Sequence, residues 1–304
     1  MIVGLNPYGL TYTLGLHGAD GTGLPGFLEI AREIGAQVVE LHQPWLDGPL
    51  ELDGMTPVIS CGRDPSGDDA AIECAVALGA SVVRMALTGV LQGDRHAVDW
   101  PRIVEGVRAR LARVAPRAAA AGVSIAIENH QDFTSAELME LCEQAGDAVG
   151  ITLDTGNAFP VAEAPLDFAR TVAARVRHVH LKDYRVQFTD EGYRLVRCAI
   201  GDGAVPFAEL VELLARDLTA SLEPGALEAR HIRLFTEEWW RGYPPKDARS
   251  LAAALRAARV NRLGDDEDFR TPWERGVTGE ELIRYEREVM RSSAANLRAL
   301  GLME

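Results

Sequence analysis

Four short apolar runs of the chain each end in a side chain that can bind a metal ion. The runs are "AIEN", "TLDTGN", "HVHLKD" and "LFTEEWW", and the side chains at their ends are Glu128, Asp154, His180 and Glu237. If the runs are successive parallel β-strands, three carboxylates and one imidazole converge on one volume, where mutual repulsion and desolvation are costly. A divalent cation removes that cost, so the pattern predicts a metal site.

The predicted ligand set has three oxygen donors and one nitrogen donor, which suits Mn²⁺, Mg²⁺, Co²⁺ or Zn²⁺. We expect one divalent ion per chain and take Mn²⁺ as the first choice. Two adjacent carboxylates compete in the last run. Side-chain alternation that turns Ile232 and Leu234 outward favours Glu237 over Glu238, although a bulge at the strand end would reverse the choice.

The stretch "RVRHVHLKDY" carries two histidines one residue apart, so His178 and His180 share one face of a strand. His180 lies nearer the strand end, where Glu128 and Asp154 arrive, and is therefore the predicted ligand. We expect His178, one layer deeper, to be a buried imidazole that is satisfied in the core or orients its neighbour.

The elements that must position these residues alternate along the chain. Short β-branched runs predict strands over residues 2–6, 37–42, 56–60, 81–87, 124–129, 149–154, 176–182 and 231–237. Helical periodicity predicts helices over residues 24–36, 68–80, 99–122, 134–146, 165–175 and 206–218. Eight such units predict an α/β fold, a closed (β/α)₈ barrel. An open doubly wound sheet is the alternative, but no GxGxxG follows the first strand.

The chain continues for about 65 residues beyond the eighth predicted strand. Residues 247–261 and 278–301 read as helices that cover the barrel or a subunit interface. We therefore treat residues 1–304 as one domain, with the barrel over about 1–245 and a helical C-terminal extension over about 246–304.

Composition excludes several classes of partner. The formal net charge of −14 disfavours nucleic acid and anionic membranes. The four cysteines are far apart, without a CxxC pair, which indicates reduced thiols and a cytoplasmic protein. We see no signal peptide, and no apolar run of about 18 residues that would span a membrane.

The motifs "IENH", "LDTGN", "HVHLKD" and "AIGDGAVPF" resemble, in this order, signatures of the xylose isomerase-like TIM-barrel superfamily, the sugar phosphate isomerase/epimerase group. The resemblance covers roughly residues 1–240. It implies a metal held by Glu128, Asp154, His180 and Glu237, with the two glutamates also acting as acid and base. It further implies a small carbohydrate substrate, isomerised or epimerised through an enediolate.

Two features depart from simple epimerases of this group. Asn157 stands where many of them carry a histidine that helps to hold the substrate. The long extension, with "GLNPYGL" and "RTPWERG", is more similar to the branch containing C-glycoside deglycosidase subunits and 3-oxo-sugar-acid decarboxylases. A lyase is therefore the alternative, and a non-catalytic partner subunit or a metal-dependent endonuclease is less favoured. We expect a homo-oligomer, or a heteromer in the deglycosidase branch.

Further polar side chains at the strand ends are candidates for the reaction itself. His130, just past the fifth strand, is an alternative base or an exposed loop residue. Lys182 could bind a carboxylate, phosphate or enolate oxygen, or could pair with Asp183. The residues predicted to contact the substrate are His42, Arg84, Asn157 and Trp239.

Overall fold

Eight parallel strands close into a barrel, which confirms the predicted (β/α)₈ TIM-barrel fold. The structure, a computed structural model, describes residues 1–16, 20–46, 48 and 50–303. Its strands are β1 (Ile2–Leu5), β2 (Val38–His42), β3 (Thr56–Cys61), β4 (Val82–Met85), β5 (Ser124–Glu128), β6 (Val149–Asp154), β7 (Val176–Leu181), β8 (Tyr184–Thr189), β9 (Gly192–Arg197), β10 (Thr219–Leu222) and β11 (Arg230–Ile232). The barrel consists of β1 to β7 and β10.

Helices pack around the barrel, and most lie where helical periodicity predicts them. They are α1 (Gly23–Glu33), α2 (Asp68–Leu78), α3 (Trp100–Ala121), α4 (Ser135–Ala145), α5 (Pro165–Val172), α6 (Phe207–Glu212), α7 (Glu237–Trp240), α8 (Ala248–Ala257) and α9 (Gly279–Ala299). At the start of α4 the Thr134 hydroxyl accepts the Glu137 N–H while the Glu137 carboxylate accepts the Thr134 N–H. This capping box satisfies two donors that a helix start leaves free. None of the helices in the described ranges is both long and apolar enough to cross a membrane.

The prediction for the eighth strand was wrong. The strand that closes the barrel between β1 and β7 is β10, with the sequence "TASL". The predicted strand over residues 231–237 contributes only β11, which pairs with β9 in a separate antiparallel sheet of β8, β9 and β11. β10 has four residues and only one large apolar side chain, so its local strand signal is weak, and it directly follows a segment with helical periodicity.

The barrel interior has an apolar layer beneath a polar one. Side chains two positions apart on a strand share a face, and β2 to β5 each place a small apolar residue below a polar residue. The lower layer is a separate buried cluster of Val38, Val58, Val82 and Ala126. The buried upper layer above it contains Glu40, Ser60, Arg84 and Glu128. The chemistry-bearing side chains therefore lie on a packed floor at the carboxyl ends of the strands.

The helices that follow the barrel pack against the same core as the barrel itself. Met290, Ala294 and Leu297 of α9 belong to the continuous hydrophobic core that also contains the outward-facing strand residues. The buried Glu286 carboxylate, also on α9, accepts the backbone N–H groups of Tyr12 and Thr13 at 3.1 and 2.7 Å. The C-terminal helix thus holds the loop that leads away from β1.

A buried carboxylate fixes the loop that contains "GDGAV". Asp183, next after Lys182 at the end of β7, accepts four backbone N–H bonds of 2.8–3.0 Å; their donors are Tyr184, Gly201, Gly203 and Val205. A Cβ atom on Gly203 would lie 2.3 Å from the Asp183 carboxylate, so a side chain has no room there. One side chain therefore organises the connection between β9 and α6.

We expect Asp183→Ala to lower the free energy of unfolding by about 3 kcal/mol or more, because four amide groups lose their acceptor. Urea unfolding followed by circular dichroism measures the change. Asp190→Ala is the matched control, since Asp190 is exposed in the turn between β8 and β9, and should change stability by less than about 0.5 kcal/mol. Equal unfolding midpoints for the two variants would contradict this role of Asp183.

Candidate metal centre

Four buried side chains at the carboxyl end of the barrel are close enough to share one metal ion. Glu128, Asp154, His180 and Glu223 each offer a ligand atom, and these atoms all lie within 4.8 Å of one another. The four residues come from the ends of β5, β6, β7 and β10. The structure thus brings together three of the predicted ligands and replaces the fourth.

Glu237 is not part of this cluster, so its predicted role as ligand and acid–base group is wrong. It is exposed at the start of α7, as is Glu238 beside it. The error follows from the eighth strand: the carboxylate that ends the true closing strand is Glu223, immediately after β10. The only local signal for Glu223 is a glutamate before Pro-Gly at the end of a short apolar run, which resembles many surface turns.

The donor atoms face one another as a metal site requires. His180 Nδ1 lies 3.2 Å from Glu128 Oε1 and 2.8 Å from Glu223 Oε2. The shorter contact lacks hydrogen-bond geometry, and Glu223 Oε2 is buried without a hydrogen-bond partner. An imidazole nitrogen and two carboxylate oxygens therefore point at one small volume.

Buried cations hold the remaining carboxylate oxygens. Arg84 donates to Glu128 Oε2 and, at 3.2 Å, to the hydroxyl of Ser60. Lys182 Nζ lies 2.5 Å from Asp154 Oδ2 and 2.8 Å from Glu223 Oε1. Lys182 thus pairs with two members of the cluster and not with its chain neighbour Asp183. Each glutamate keeps its other oxygen for an ion.

The pKa shifts of the carboxyl groups in this cluster reflect burial and closely spaced charges. Burial raises the pKa of Glu128, but Arg84, His130 and His180 together outweigh burial and lower this pKa well below its usual range. Burial is likewise outweighed at Glu223, where Lys182 and His180 lower the pKa to about 2. At Asp154, burial together with the charges of Glu223 and Glu128 raises the pKa to about 7 despite Lys182. The raised pKa of Asp154 therefore reflects burial and negative charge that Lys182 does not fully offset.

The residues present fit a divalent ion. Glu40 is a fourth buried carboxylate, and when His180 is neutral, as a metal ligand must be, Arg84 and Lys182 offset only half of the charge that the four carry. The positive charge of a divalent cation would neutralise the other half. The donor set, the unbonded Glu223 oxygen and this charge balance agree with one another.

The other residues predicted to contact the substrate differ in their burial and in their partners. Asn157 is buried and donates to Asp154 Oδ2 at 2.8 Å, so it holds a predicted ligand. Trp239 is fully buried, stacks on Tyr243 at 4.3 Å and donates to the backbone of Gln92, which contradicts its predicted contact with substrate. His42 is half-buried at the end of β2, with Nδ1 3.0 Å from the Tyr8 hydroxyl.

A cavity of about 680 Å³ reaches the cluster at Glu223. Its lining includes the predicted residues Arg84, His130 and Lys182 together with Glu223 and Tyr8, but neither His42 nor Trp239 among the described residues. His130 Nδ1 is buried without a hydrogen-bond partner, and burial lowers the pKa of this imidazole to about 4. His130 is therefore neutral at pH 7 and can accept a proton.

Comparison with known proteins places the chain among barrels of one family. Residues 27–258 match the family model described as xylose isomerase-like TIM barrel. The chain is 30% identical over 134 residues to inosose dehydratase of Lacticaseibacillus casei, an alignment that covers 39% of this chain and 44% of that protein. The matched segments span about half of the length of the curated relatives.

Solved structures share the fold at low sequence identity. D-psicose 3-epimerase of Clostridium cellulolyticum H10, determined with D-tagatose, superimposes with a TM-score of 0.57 at 15% identity, covering 100% of both chains. A xylose isomerase-like TIM-barrel protein of Mycobacterium smegmatis, in complex with magnesium, superimposes with a TM-score of 0.53 at 16% identity, covering 76% of this chain and 87% of that one. These similarities concern the fold.

Glu223→Gln and Glu237→Gln form a matched pair that tests the assignment of the fourth ligand. We expect Glu223→Gln to weaken Mn²⁺ binding by about 100-fold or more, because an amide is a poor metal ligand. The exposed Glu237→Gln should bind Mn²⁺ as the unaltered protein does. Isothermal titration calorimetry of the metal-free proteins measures both, and the opposite ranking would restore the sequence-based assignment.

Proposed function

Because the chain belongs to the xylose isomerase-like TIM-barrel family, we propose that it is a divalent-metal-dependent enzyme that isomerises or epimerises a small sugar or keto-sugar. The observation that carries the proposal is the cluster of Glu128, Asp154, His180 and Glu223, which a cavity reaches at Glu223. Mn²⁺ is our first choice of ion, and the Mycobacterium smegmatis barrel, which was determined in complex with magnesium, is an example of a divalent ion in a protein of this fold. A bound divalent ion would polarise the substrate carbonyl and stabilise negative charge on its oxygen.

Glu128 is placed to move a proton. Arg84 keeps this carboxylate ionised, so it can take a proton from the carbon next to the substrate carbonyl. The electron pair of the broken C–H bond then moves onto the carbonyl oxygen, and the substrate becomes an enediolate. If the hydroxyl proton on the deprotonated carbon passes to the former carbonyl oxygen and Glu128 returns its proton to the adjacent carbon, the result is an isomerisation.

Glu223 provides the second carboxylate that an epimerisation requires. It is also ionised at neutral pH, so it must first take a proton, for example from a substrate hydroxyl. Delivery of that proton to the carbon that Glu128 deprotonated, from the other face, inverts this carbon, and return of the Glu128 proton to the substrate alkoxide completes an epimerisation. Lys182 lies beside Glu223 in the cavity and can donate a hydrogen bond to the developing enolate oxygen.

A lyase is the second candidate, and a specific observation favours it. The relative with 30% identity is named inosose dehydratase, and dehydration next to a carbonyl begins with the same proton removal. Elimination then needs an acid that protonates the departing hydroxyl, and Lys182 is within the cavity. His130, neutral and without a partner, is an alternative base in either reaction. Decarboxylation of a 3-oxo sugar acid and C-glycoside cleavage remain further lyase alternatives.

The reaction can be identified by incubation in D₂O. We expect Mn²⁺-loaded protein to introduce deuterium next to the carbonyl of a ketohexose such as D-tagatose or D-psicose, with a new sugar isomer as product. Nuclear magnetic resonance detects both changes. Elimination of water from inosose, or release of CO₂ from a 3-oxo sugar acid, without isomer formation would instead identify a lyase. Metal-loaded protein that changes none of these compounds would contradict the proposed class.

Glu128→Gln tests the proposed base. The amide cannot accept the proton, so we expect turnover to fall by about 10²- to 10⁴-fold or more. Glu237→Gln is the control and should keep full activity, because Glu237 is exposed away from the cluster. Full activity of Glu128→Gln would move the role of base to His130, and His130→Asn would then be the inactive variant.

A further inference from the structure

A second group of potential metal ligands lies directly below the candidate metal centre. Glu40 on β2 and His178 and His180 on β7 are fully buried in the barrel interior. Glu40 Oε2 lies 2.7 Å from His180 Nε2 and 3.3 Å from His178 Nε2, and the two rings meet edge to face at 5.4 Å. The sequence offers no reason to single out Glu40, which sits in the middle of an apolar strand.

Hydrogen-bond geometry identifies this group as a support and not as a second metal site. The 2.7 Å contact between Glu40 and His180 has that geometry and is a charge-assisted hydrogen bond. The 2.8 Å contact between His180 and Glu223 in the candidate metal centre lacks it. Arg84 Nε lies 4.0 Å from the other oxygen of Glu40, which places a cation where a second ion would have to bind.

Hydrogen bonds also occupy His178 completely. Its Nδ1 lies 2.7 Å from the Thr219 hydroxyl, and its Nε2 lies 3.1 Å from the Ser221 hydroxyl. An imidazole with both nitrogens engaged has no lone pair for an ion. His178 therefore fixes Glu40 from below, and Glu40 in turn contacts His180.

This arrangement decides which nitrogen of His180 faces the cluster. An ionised carboxylate only accepts hydrogen bonds, so the Nε2 atom next to Glu40 must carry the hydrogen. The other nitrogen, Nδ1, then points at Glu128 Oε1 and Glu223 Oε2 with its lone pair available in the neutral ring. Carboxylate partners of this kind orient metal-binding imidazoles and raise their affinity for the ion.

We propose that Glu40 is a positioning residue that orients His180 toward the metal through the Nε2–H bond. His178, itself held by Thr219 and Ser221, keeps Glu40 in place. The inference rests on the proposed metal-dependent function. It adds Glu40 and His178 to the site. In this view, these two residues bind no ion of their own and instead support the candidate metal centre.

The test compares Mn²⁺ affinity in the full chain carrying Glu40→Gln or Glu40→Ala. We expect one Mn²⁺ per chain in the unaltered protein and a 10- to 100-fold weaker affinity in Glu40→Ala, measured by isothermal titration calorimetry. Glu40→Gln should lose less, because its amide oxygen can still accept the Nε2–H bond. The visible absorption of Co²⁺-loaded protein should also change in Glu40→Ala as the imidazole turns.

Glu286→Gln is the matched control for a merely structural effect. Glu286 is equally buried and hydrogen-bonded but lies on α9 against the loop after β1. Its substitution should lower the urea unfolding midpoint and leave Mn²⁺ affinity unchanged. If Glu40→Ala does not fold, the nearly isosteric Glu40→Gln still tests the proposal, because it too should bind Mn²⁺ more weakly.

Three outcomes would overturn the inference. Equal Mn²⁺ affinity in the unaltered protein and both Glu40 variants would refute the positioning role and leave the proposed function standing. Two ions per chain, reduced to one by Glu40→Ala, would make the lower group a metal site. Failure of the unaltered protein to bind Mn²⁺, Mg²⁺, Co²⁺ or Zn²⁺ would overturn the proposed function as well.

Discussion

Four carboxylates buried at one end of the barrel impose the electrostatic constraint on which the rest of this structure depends. Glu40, Glu128, Asp154 and Glu223 are almost completely removed from water, where an unpaired charge is very unfavourable. Two buried cations offset part of this negative charge. Arg84 and Lys182 each contact two of these carboxylates. Either cation would be an unpaired buried charge without these carboxylates, so the buried cations and carboxylates stabilise one another.

Closure of the barrel makes this concentration of charge possible. The ligands lie far apart in the chain, but β5, β6, β7 and β10 are consecutive neighbours around the barrel, and their carboxyl ends meet at one rim. Below the rim, the small apolar layer of Val38, Val58, Val82 and Ala126 fills the interior and supports the polar layer. On these strands, the residues that pack the barrel interior thus lie one layer below the residues that carry the candidate chemistry.

Side chains that bond to backbone keep the rim rigid. Asn129, next to Glu128, exchanges two hydrogen bonds with the backbone of Asp154, which locks the ends of β5 and β6 together. Beyond the rim, the buried Arg95 pairs with Glu137 and stacks between Trp100 and Tyr243, tying the segment after α7 to the barrel. Such contacts explain why Asn129 and Arg95 are buried without lining the cavity.

Local patterns in the sequence determined much of this protein. Seven of the eight barrel strands follow from β-branched runs between helical segments, and Glu128, Asp154 and His180 follow from their places at the ends of those runs. Such assignments need only side-chain alternation within one strand. The antiparallel pair β8 and β9 had a comparable local signal in its alternating Tyr184, Val186 and Phe188, although the prediction overlooked it.

Tertiary structure alone decided the fourth member of the buried cluster and the contact between Glu40 and His180. The short β10 becomes a strand because β1 and β7 leave one position open between them, and this pairing makes Glu223, not Glu237, the residue at the rim. Glu40 likewise reads as an ordinary strand residue until the closed barrel sets it against His180. Both depend on contacts between segments more than 100 residues apart, as from β1 to β10 and from Glu40 to His180, and no local pattern records such contacts.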